Sequence, residues 1–76
     1  MKELHRTKFY KKLGKRIRFF RKRTGISQHD LANAINLSYN MVNAYENANS
    51  CMTIGTLLEI AKVLNINITE LLPRVE

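Results

Sequence analysis

Several features are scarce or missing in this chain, and each absence excludes a class of protein. A single cysteine, Cys51, rules out a disulfide within the chain and is typical of a reducing compartment. No apolar run approaches the ~18 residues that a membrane-spanning helix needs, and residues 1–7 are too polar for a secretory signal. Histidines and the cysteine show no metal-ligand spacing. We therefore expect a cytoplasmic protein without a metal, a cofactor or a membrane-spanning segment.

The residues of a catalytic site are also missing. The sequence has no paired carboxylates, no nucleophile with a neighbouring base and no glycine-rich phosphate loop. Its 76 residues and 45% apolar content suit one small folded domain. We therefore expect a binding protein and not an enzyme.

Positive charge is concentrated at one end of the chain. Eleven of the thirteen lysines and arginines lie in residues 1–23, together with a single acid, Glu3, and the whole chain carries a net charge of +7. This density exceeds what solubility requires and favours a polyanionic partner. Charge alone leaves both nucleic acid and an anionic membrane surface open.

A short pattern recurs four times: an apolar residue, a capping residue, three further residues and a second apolar residue. It occurs in ISQHDL, LSYNMV, MTIGTL and INITEL, with capping residues Ser27, Ser38, Thr53 and Asn67. Such a side chain accepts a hydrogen bond from the first amides of a helix, and the apolar pair packs as a hydrophobic staple. Asp30 and Glu70 complete capping boxes in two of the cases. The pattern therefore predicts four helix starts.

A fifth helix precedes these four. Leu13, Ile17 and Phe20 recur at helical spacing, and Gly25 is a left-handed stop. The predicted helices span about 9–24, 28–35, 39–47, 54–65 and 68–72. The predicted fold is all-α, a compact five-helix bundle over 9–73, with a flexible basic arm at 1–8 and a tail at 74–76.

The shortest connection predicts how two helices are arranged. Only Asn36 and Leu37 separate Ile35 from Ser38, which forces a steep crossing between the second and third helices. Asn36 falls where the chain turns, and asparagine tolerates the left-handed conformation well. Residues 28–47 are therefore predicted to form a helix-turn-helix that presents its second helix to a groove.

Two segments, GKRIRFFRKRTGISQHDLANAINLS and TLLEIAKVLNINITELL, carry a family resemblance. Through them, residues 13–72 resemble the Cro/repressor-type helix-turn-helix domains, also called the lambda-repressor-like or xenobiotic-response-element family. The resemblance implies a dimer that places its third helix in the major groove of a two-fold operator. It also implies that Gln28 contacts the DNA backbone and that Arg21 and Glu46 form a structural pair. The chain departs from the family pattern at Asn36 and Ala48, where glycine is usual, and at Met52, where proline is common.

The third helix has an uncharged outer face. If Val42 and Tyr45 face the core, the 100° step per residue places Asn40, Asn43, Ala44 and Asn47 on the opposite side. Asparagine pairs bidentately with adenine, and small side chains contact the thymine methyl group. The predicted base-reading residues are Tyr39, Asn40, Asn43 and Ala44, with a preference for A·T pairs.

Phosphate contacts would supply affinity that carries no sequence information and falls with salt. The predicted phosphate-binding residues are Gln28, Ser38, Asn47, Lys15, Lys22 and Arg23, with Arg16 as an alternative to Lys15. The fourth helix and the residues after it carry more apolar surface than one core face requires. We predict a homodimer contact through Leu58, Ile66, Ile68 and Leu72, with the alternative that the small core uses them all.

The predicted function is sequence-specific binding of double-stranded DNA by a small dimeric repressor or autoregulator, which reads a palindromic operator with residues 39–47. Two related functions remain open. One is the DNA-binding antitoxin of a toxin–antitoxin pair, with a toxin or other protein partner, and the other is a controller protein of a restriction–modification system. A membrane-surface role would explain the basic helix but not the asparagine face. Single-stranded RNA binding would need a platform of exposed aromatics that the sequence does not arrange.

Overall fold

Five α-helices follow one another along the chain. The computed structural model describes residues 2–74, with side chains from Thr7 onward, and contains no β-strand over those residues. The helices are α1 (Lys2–Thr24), α2 (Gln28–Ala34), α3 (Tyr39–Glu46), α4 (Ile54–Val63) and α5 (Ile68–Leu71). The predicted all-α fold of five helices is confirmed.

Side-chain caps begin the last four helices at the predicted positions. The hydroxyl groups of Ser27, Ser38 and Thr53 each accept a hydrogen bond from the amide three residues later, at 3.0, 3.2 and 3.1 Å. At α5 the Glu70 carboxylate accepts a hydrogen bond from the Asn67 amide at 3.2 Å. These contacts satisfy amides that a helix start leaves unpaired, so local sequence determines where each helix begins.

The first four helices end in one common way. Each is followed by a residue with positive φ: Gly25 (86°), Asn36 (58°), Ala48 (60°) and Asn65 (58°). The next amide in each case donates to the carbonyl five residues earlier, at 2.8–3.3 Å, which is the Schellman arrangement. The turns predicted at Gly25 and Asn36 are confirmed, and Ala48 adopts the conformation for which the family uses glycine.

Helix α1 starts earlier than predicted. It begins at Lys2 and not near residue 9, so the segment predicted to be an arm continues the helix. Residues 2–12 contain no glycine or proline and consist mostly of strong helix formers, so nothing in this segment stops the helix. Of the predicted tail, Arg74 is exposed, and residues 75–76 lie outside the described residues, as does Met1.

One fully buried side chain from each helix meets in the core: Ile17, Leu31, Val42, Ile60 and Leu71. At Gly14 the backbones of α1 and α3 come unusually close. A Cβ atom on Gly14 would lie 2.7 Å from the Tyr45 carbonyl oxygen and 2.5 Å from that of Glu46. Since no real side chain tolerates such distances, glycine is what allows the carboxyl end of α3 to lie directly on α1.

The strained residue after α3 gives a stability prediction. Ala48→Gly is expected to raise the free energy of unfolding by up to about 1 kcal/mol. Glycine removes the cost of a left-handed alanine, about 1–2 kcal/mol, but it also increases the conformational entropy of the unfolded chain, which offsets part of the gain. Urea unfolding measures the change. As a control, Ala34→Gly in α2 has no such strain to relieve and should lower stability by about 0.5–1 kcal/mol. If both variants lowered the free energy of unfolding equally, Ala48 would not be strained.

Candidate nucleic-acid interface

A buried ion pair joins α1 to the end of α3. Arg21 Nε donates to Glu46 Oε2 at 2.7 Å, and Arg21 Nη2 donates to Glu46 Oε1 at 3.1 Å. Only 8% of Arg21 and 3% of Glu46 is exposed. The third nitrogen, Nη1, donates to the Ile26 carbonyl at 2.9 Å. The residues that the sequence suggested as a structural pair are thus brought together out of water, where the pair fixes α3 against α1.

Two opposing effects act on the Glu46 carboxyl group. Burial alone would raise its pKa, because burial disfavours the charged form. Hydrogen bonds from Arg21 and Gln28, the charge of Arg21 and a hydrogen bond from Arg18 outweigh this and hold the pKa below the ordinary 4.5. The folded protein therefore binds that proton less tightly than the unfolded chain does. Its contribution to stability is present above the ordinary pKa and is lost as pH falls through the lowered pKa.

Three amide side chains and Arg18 extend this pair towards the outer face of α3. Gln28 Nε2 donates to Glu46 Oε1 at 3.0 Å, and Asn43 Nδ2 donates to Gln28 Oε1 at 3.3 Å. Asn47 Nδ2 donates to Asn43 Oδ1 at 3.0 Å, while Arg18 Nη2 donates to Asn47 Oδ1 at 3.1 Å. Arg18 Nε lies 3.4 Å from Glu46 Oε1. We call these five residues the amide ring.

The amide ring contains three predicted DNA-contacting residues and one that sequence reasoning missed. Gln28 and Asn47 were predicted to bind phosphate and Asn43 to read bases, yet all three also bind one another or Glu46. Arg18 was not singled out among the eleven bases of the first helix. Only its position, one turn before Arg21 on the same helix, could have indicated that it reaches α3.

The remaining base-reading candidates differ in how they are held. Asn40 is exposed, and its side chain makes no hydrogen bond to another described residue. Tyr39 is 39% exposed, and its ring stacks on His29 with centroids 4.2 Å apart and planes 13° apart. Ala44 is half-buried on the same helix. Sequence reasoning gave His29 no role, but in the structure it orients Tyr39.

The predicted phosphate-binding residues outside the amide ring are exposed. They are Ser38, which caps α3, and Lys15, Lys22 and Arg23 on α1. Arg16 was the alternative to Lys15, but its Nη1 donates to the Glu70 carbonyl of α5 at 3.0 Å. Since Arg18 reaches α3 and Arg16 reaches α5, the two arginines lie on opposite flanks of α1.

The predicted dimer residues divide into two groups. Leu58 on α4 is 50% exposed, whereas Ile66, Ile68 and Leu72 are half-buried and pack against the core. Ile54, one turn before Leu58, is 66% exposed and was not predicted. Ile54 and Leu58 are thus the most exposed apolar side chains on α4, and Ile66, Ile68 and Leu72 keep part of their surface exposed.

Two other features are absent from the described residues. No helix between residues 2 and 74 has the length and apolar character needed to cross a membrane. Within the same residues, no cluster of three or more histidine, cysteine or acidic side chains could hold a metal ion.

Removing the charge of Glu46 tests the buried pair. Glu46→Gln should lower the free energy of unfolding by about 3–5 kcal/mol at neutral pH, because the buried Arg21 guanidinium loses its counter-charge. The difference from the parent protein should begin to shrink as pH falls below 4.5, where the unfolded parent chain takes up this proton, and should be lost once pH passes the lowered pKa of the folded carboxyl group. Urea unfolding at several pH values measures both effects.

A matched control for that variant is Glu59→Gln, which neutralises an exposed acid on α4 and should change stability by less than about 0.5 kcal/mol. If Glu46→Gln changed the free energy of unfolding as little as the control does, the pair of Arg21 and Glu46 could not be holding α3 in place.

Comparison with known proteins places this fold and site in a family. The uncharacterized HTH-type transcriptional regulator YazB of Bacillus subtilis (strain 168) is 37% identical over 60 residues, which cover 79% of this chain and 87% of that protein. The restriction-modification controller protein C.AhdI from Aeromonas hydrophila is structurally similar with a TM-score of 0.79 and 31% identity, over 82% of this chain and 94% of that one.

The DNA-binding domain of BldD also has a TM-score of 0.79, at 28% identity, and the match covers 88% of this chain and 97% of that one. A family model described as helix-turn-helix matches residues 17–71, which include α2, α3, α4 and α5 entirely. The resemblance seen in the sequence is thus confirmed, and the chain belongs to the helix-turn-helix family.

Proposed function

We propose that this protein is a transcriptional regulator that binds double-stranded DNA sequence-specifically, with α3 in the major groove. The observation that carries the proposal is the character of α3, which bears the exposed Asn40 and the half-buried Asn43 and is locked to α1 and α2 through Glu46. An α-helix fits the major groove, where hydrogen-bond donors and acceptors distinguish the base pairs. Its relatives include one named as a transcriptional regulator and one named as a DNA-binding domain.

Asn40 is the strongest candidate for direct base reading. Its amide group is exposed and is not engaged by another described side chain, so both its donor and its acceptor are available. A bidentate contact with adenine N6 and N7 uses both. Tyr39 and Ala44 would add contacts to neighbouring bases, and Asn43 retains one N–H beyond the one given to Gln28. We therefore propose a preference for A·T pairs under α3.

Phosphate binding would come from the two flanks of α3. Lys15, Lys22 and Arg23 supply exposed positive charge on α1. The Ser38 hydroxyl accepts from the Met41 amide and keeps its own proton to donate. Gln28 likewise keeps one N–H beyond that used for Glu46. Such contacts fix the position of the helix in the groove, and base contacts then determine the sequence preference.

We propose further that the protein acts as a homodimer on a palindromic site. One copy of α3 spans only a few base pairs, so a second copy is needed for useful selectivity. The exposed Ile54 and Leu58 lie one turn apart on α4 and would be covered by the same residues of a partner across a two-fold axis.

A role as a controller of a restriction–modification system is the second candidate, because the similar C.AhdI is such a protein. In this role the protein would bind DNA through the same surface as in the first proposal, and only the controlled gene would differ. As an antitoxin, the protein would bind a toxin in addition to DNA.

Asn40→Ala tests base reading. We first select a duplex from a random pool with the parent protein, and then measure affinity for this duplex and for versions with one base pair changed. The variant should lose about 1–3 kcal/mol of discrimination at one A·T position and little elsewhere. Asn65→Gly removes an asparagine beyond α4 whose φ of 58° suits glycine, and it should leave discrimination unchanged. Selected sites without an A·T preference, or equal effects of both variants, would refute the assignment.

Leu58→Glu tests the homodimer. Placing a charge on the proposed contact should shift the protein from dimer to monomer in sedimentation velocity and weaken binding to a two-half-site duplex. Phe19→Glu makes the same charge change at a residue on α1 that is 59% exposed, and it should leave the dimer intact. A dimer that survives Leu58→Glu would place the contact elsewhere, and a parent protein that stays monomeric with and without DNA would refute dimerisation.

A further inference from the structure

We propose that His29 is a positioning residue for Tyr39, and that this stacked pair makes α3 favour thymine by presenting the Tyr39 ring to the thymine methyl group. The inference rests on the proposed function, because it assigns a base contact to a helix that is proposed to enter the major groove. Its structural part, the fixing of the Tyr39 ring by His29, is testable without DNA.

Two helix starts bring the rings of His29 and Tyr39 together. His29 is the second residue of α2, and Tyr39 is the first residue of α3. The hydroxyl groups of Ser27 and Ser38 cap these two starts at 3.0 and 3.2 Å, so the backbone that carries each ring is fixed. The chain turns between the helices at the left-handed Asn36, and the two starts lie close enough for the rings to touch.

The stack is the contact that orients the Tyr39 ring. The ring centroids lie 4.2 Å apart and the ring planes differ by 13°, so the two rings lie face to face. Among the described residues, Tyr39 contacts no other aromatic ring, and its hydroxyl group makes no hydrogen bond. An exposed tyrosine without such a contact would move among its rotamers, and fixing it on binding would cost affinity. His29 fixes the ring before DNA arrives.

The accessible part of Tyr39 distinguishes bases through its ring carbons and not through its hydroxyl group. The residue is 39% exposed, and His29 covers one face of its ring, so the other face and the edge are left for a base. The hydroxyl group both donates and accepts hydrogen bonds, and therefore suits any base edge. The ring carbons are selective because the major groove offers one apolar group, the methyl group of thymine.

The position of Tyr39 in α3 supports this contact. The N-terminal residues of a recognition helix are those that reach the base edges, and Tyr39 is the first residue of the helix. Asn40, the next residue, is proposed to pair with adenine, whose partner in the duplex is thymine. Both contacts favour A·T pairs, so His29 acts on sequence preference through the ring that it holds.

Four variants separate the ring of His29 from its charge. His29→Ala removes the ring, whereas His29→Phe keeps an aromatic ring without the charge or the hydrogen-bonding groups of imidazole. Tyr39→Ala removes the ring that is proposed to contact thymine. Asn33→Ala is the matched control, because it changes an exposed residue one turn further along α2. Circular dichroism confirms that each variant is folded.

NMR of the free protein gives the first readout. The parent protein should show nuclear Overhauser effects between the ring protons of His29 and Tyr39, because the rings are in contact. The Tyr39 ring signals should move towards those of an unstacked tyrosine in His29→Ala. They should remain displaced by the neighbouring ring in His29→Phe and in Asn33→Ala.

Replacing thymine by deoxyuridine removes only the methyl group and gives the second readout. Each thymine of a duplex selected by the parent protein is replaced in turn, and affinity is measured by fluorescence anisotropy. At one position the replacement should weaken binding about fourfold, the effect of one methyl group leaving an apolar contact. This effect should disappear in Tyr39→Ala, fall below about twofold in His29→Ala, and persist in His29→Phe and Asn33→Ala.

The outcomes separate this inference from the proposed function. Absence of the ring-to-ring effect in the parent, or an equal deoxyuridine effect in the parent and in His29→Ala, would overturn the positioning role. If His29→Phe behaved like His29→Ala, the imidazole would act through its charge and not as a stacked ring. If no thymine were sensitive to loss of its methyl group while the parent still preferred its selected duplex, the thymine contact would be wrong and the proposed function would stand. If the parent selected no sequence at all, the proposed function would fail together with the thymine contact, and the NMR signals would still decide whether His29 orients Tyr39.

Discussion

The arrangement of the first three helices depends on one buried carboxylate, that of Glu46. Removing a carboxylate from water is unfavourable unless donors replace the water molecules that it loses. Here the donors come from two other helices, with Arg21 and Arg18 on α1 and Gln28 on α2. All three helices must therefore be in place at once for the carboxylate to be satisfied. Gly14 complements this by letting the carboxyl end of α3 lie against α1.

The same interaction links stability to the proposed recognition of DNA. Positive charge is largely confined to α1, whereas α3 carries amides and no basic side chain. Charge gives affinity for any duplex, and amides give a preference among base pairs. The amide ring lies where these two surfaces meet, so the side chain of Arg18 belongs to both. A single polar network thus joins α3 to α1 and α2 and includes three of the amides proposed to contact DNA.

Local sequence predicted much of the fold. The capping residues at 27, 38, 53 and 67 placed four helix starts correctly, because a cap depends on residues within one turn. Gly25 and Asn36 marked two helix ends for the same reason. The start of α1 was missed because a run of good helix formers has no internal boundary. Positive φ at Ala48 was not predictable from alanine itself, since surrounding contacts impose it. The amide ring joins residues up to 29 positions apart, so only the folded chain reveals it.

The most direct test of the whole account is fluorescence anisotropy of the protein with the duplex upstream of its own gene and with a scrambled duplex, over a series of salt concentrations. We predict tight binding of two subunits to the upstream duplex, with a preference over the scrambled one that persists as salt is raised. Equal binding to both duplexes, lost steeply with salt, would mean that the charge of α1 acts alone. In that case the amide-bearing face of α3 does not read DNA, and the central claim is wrong.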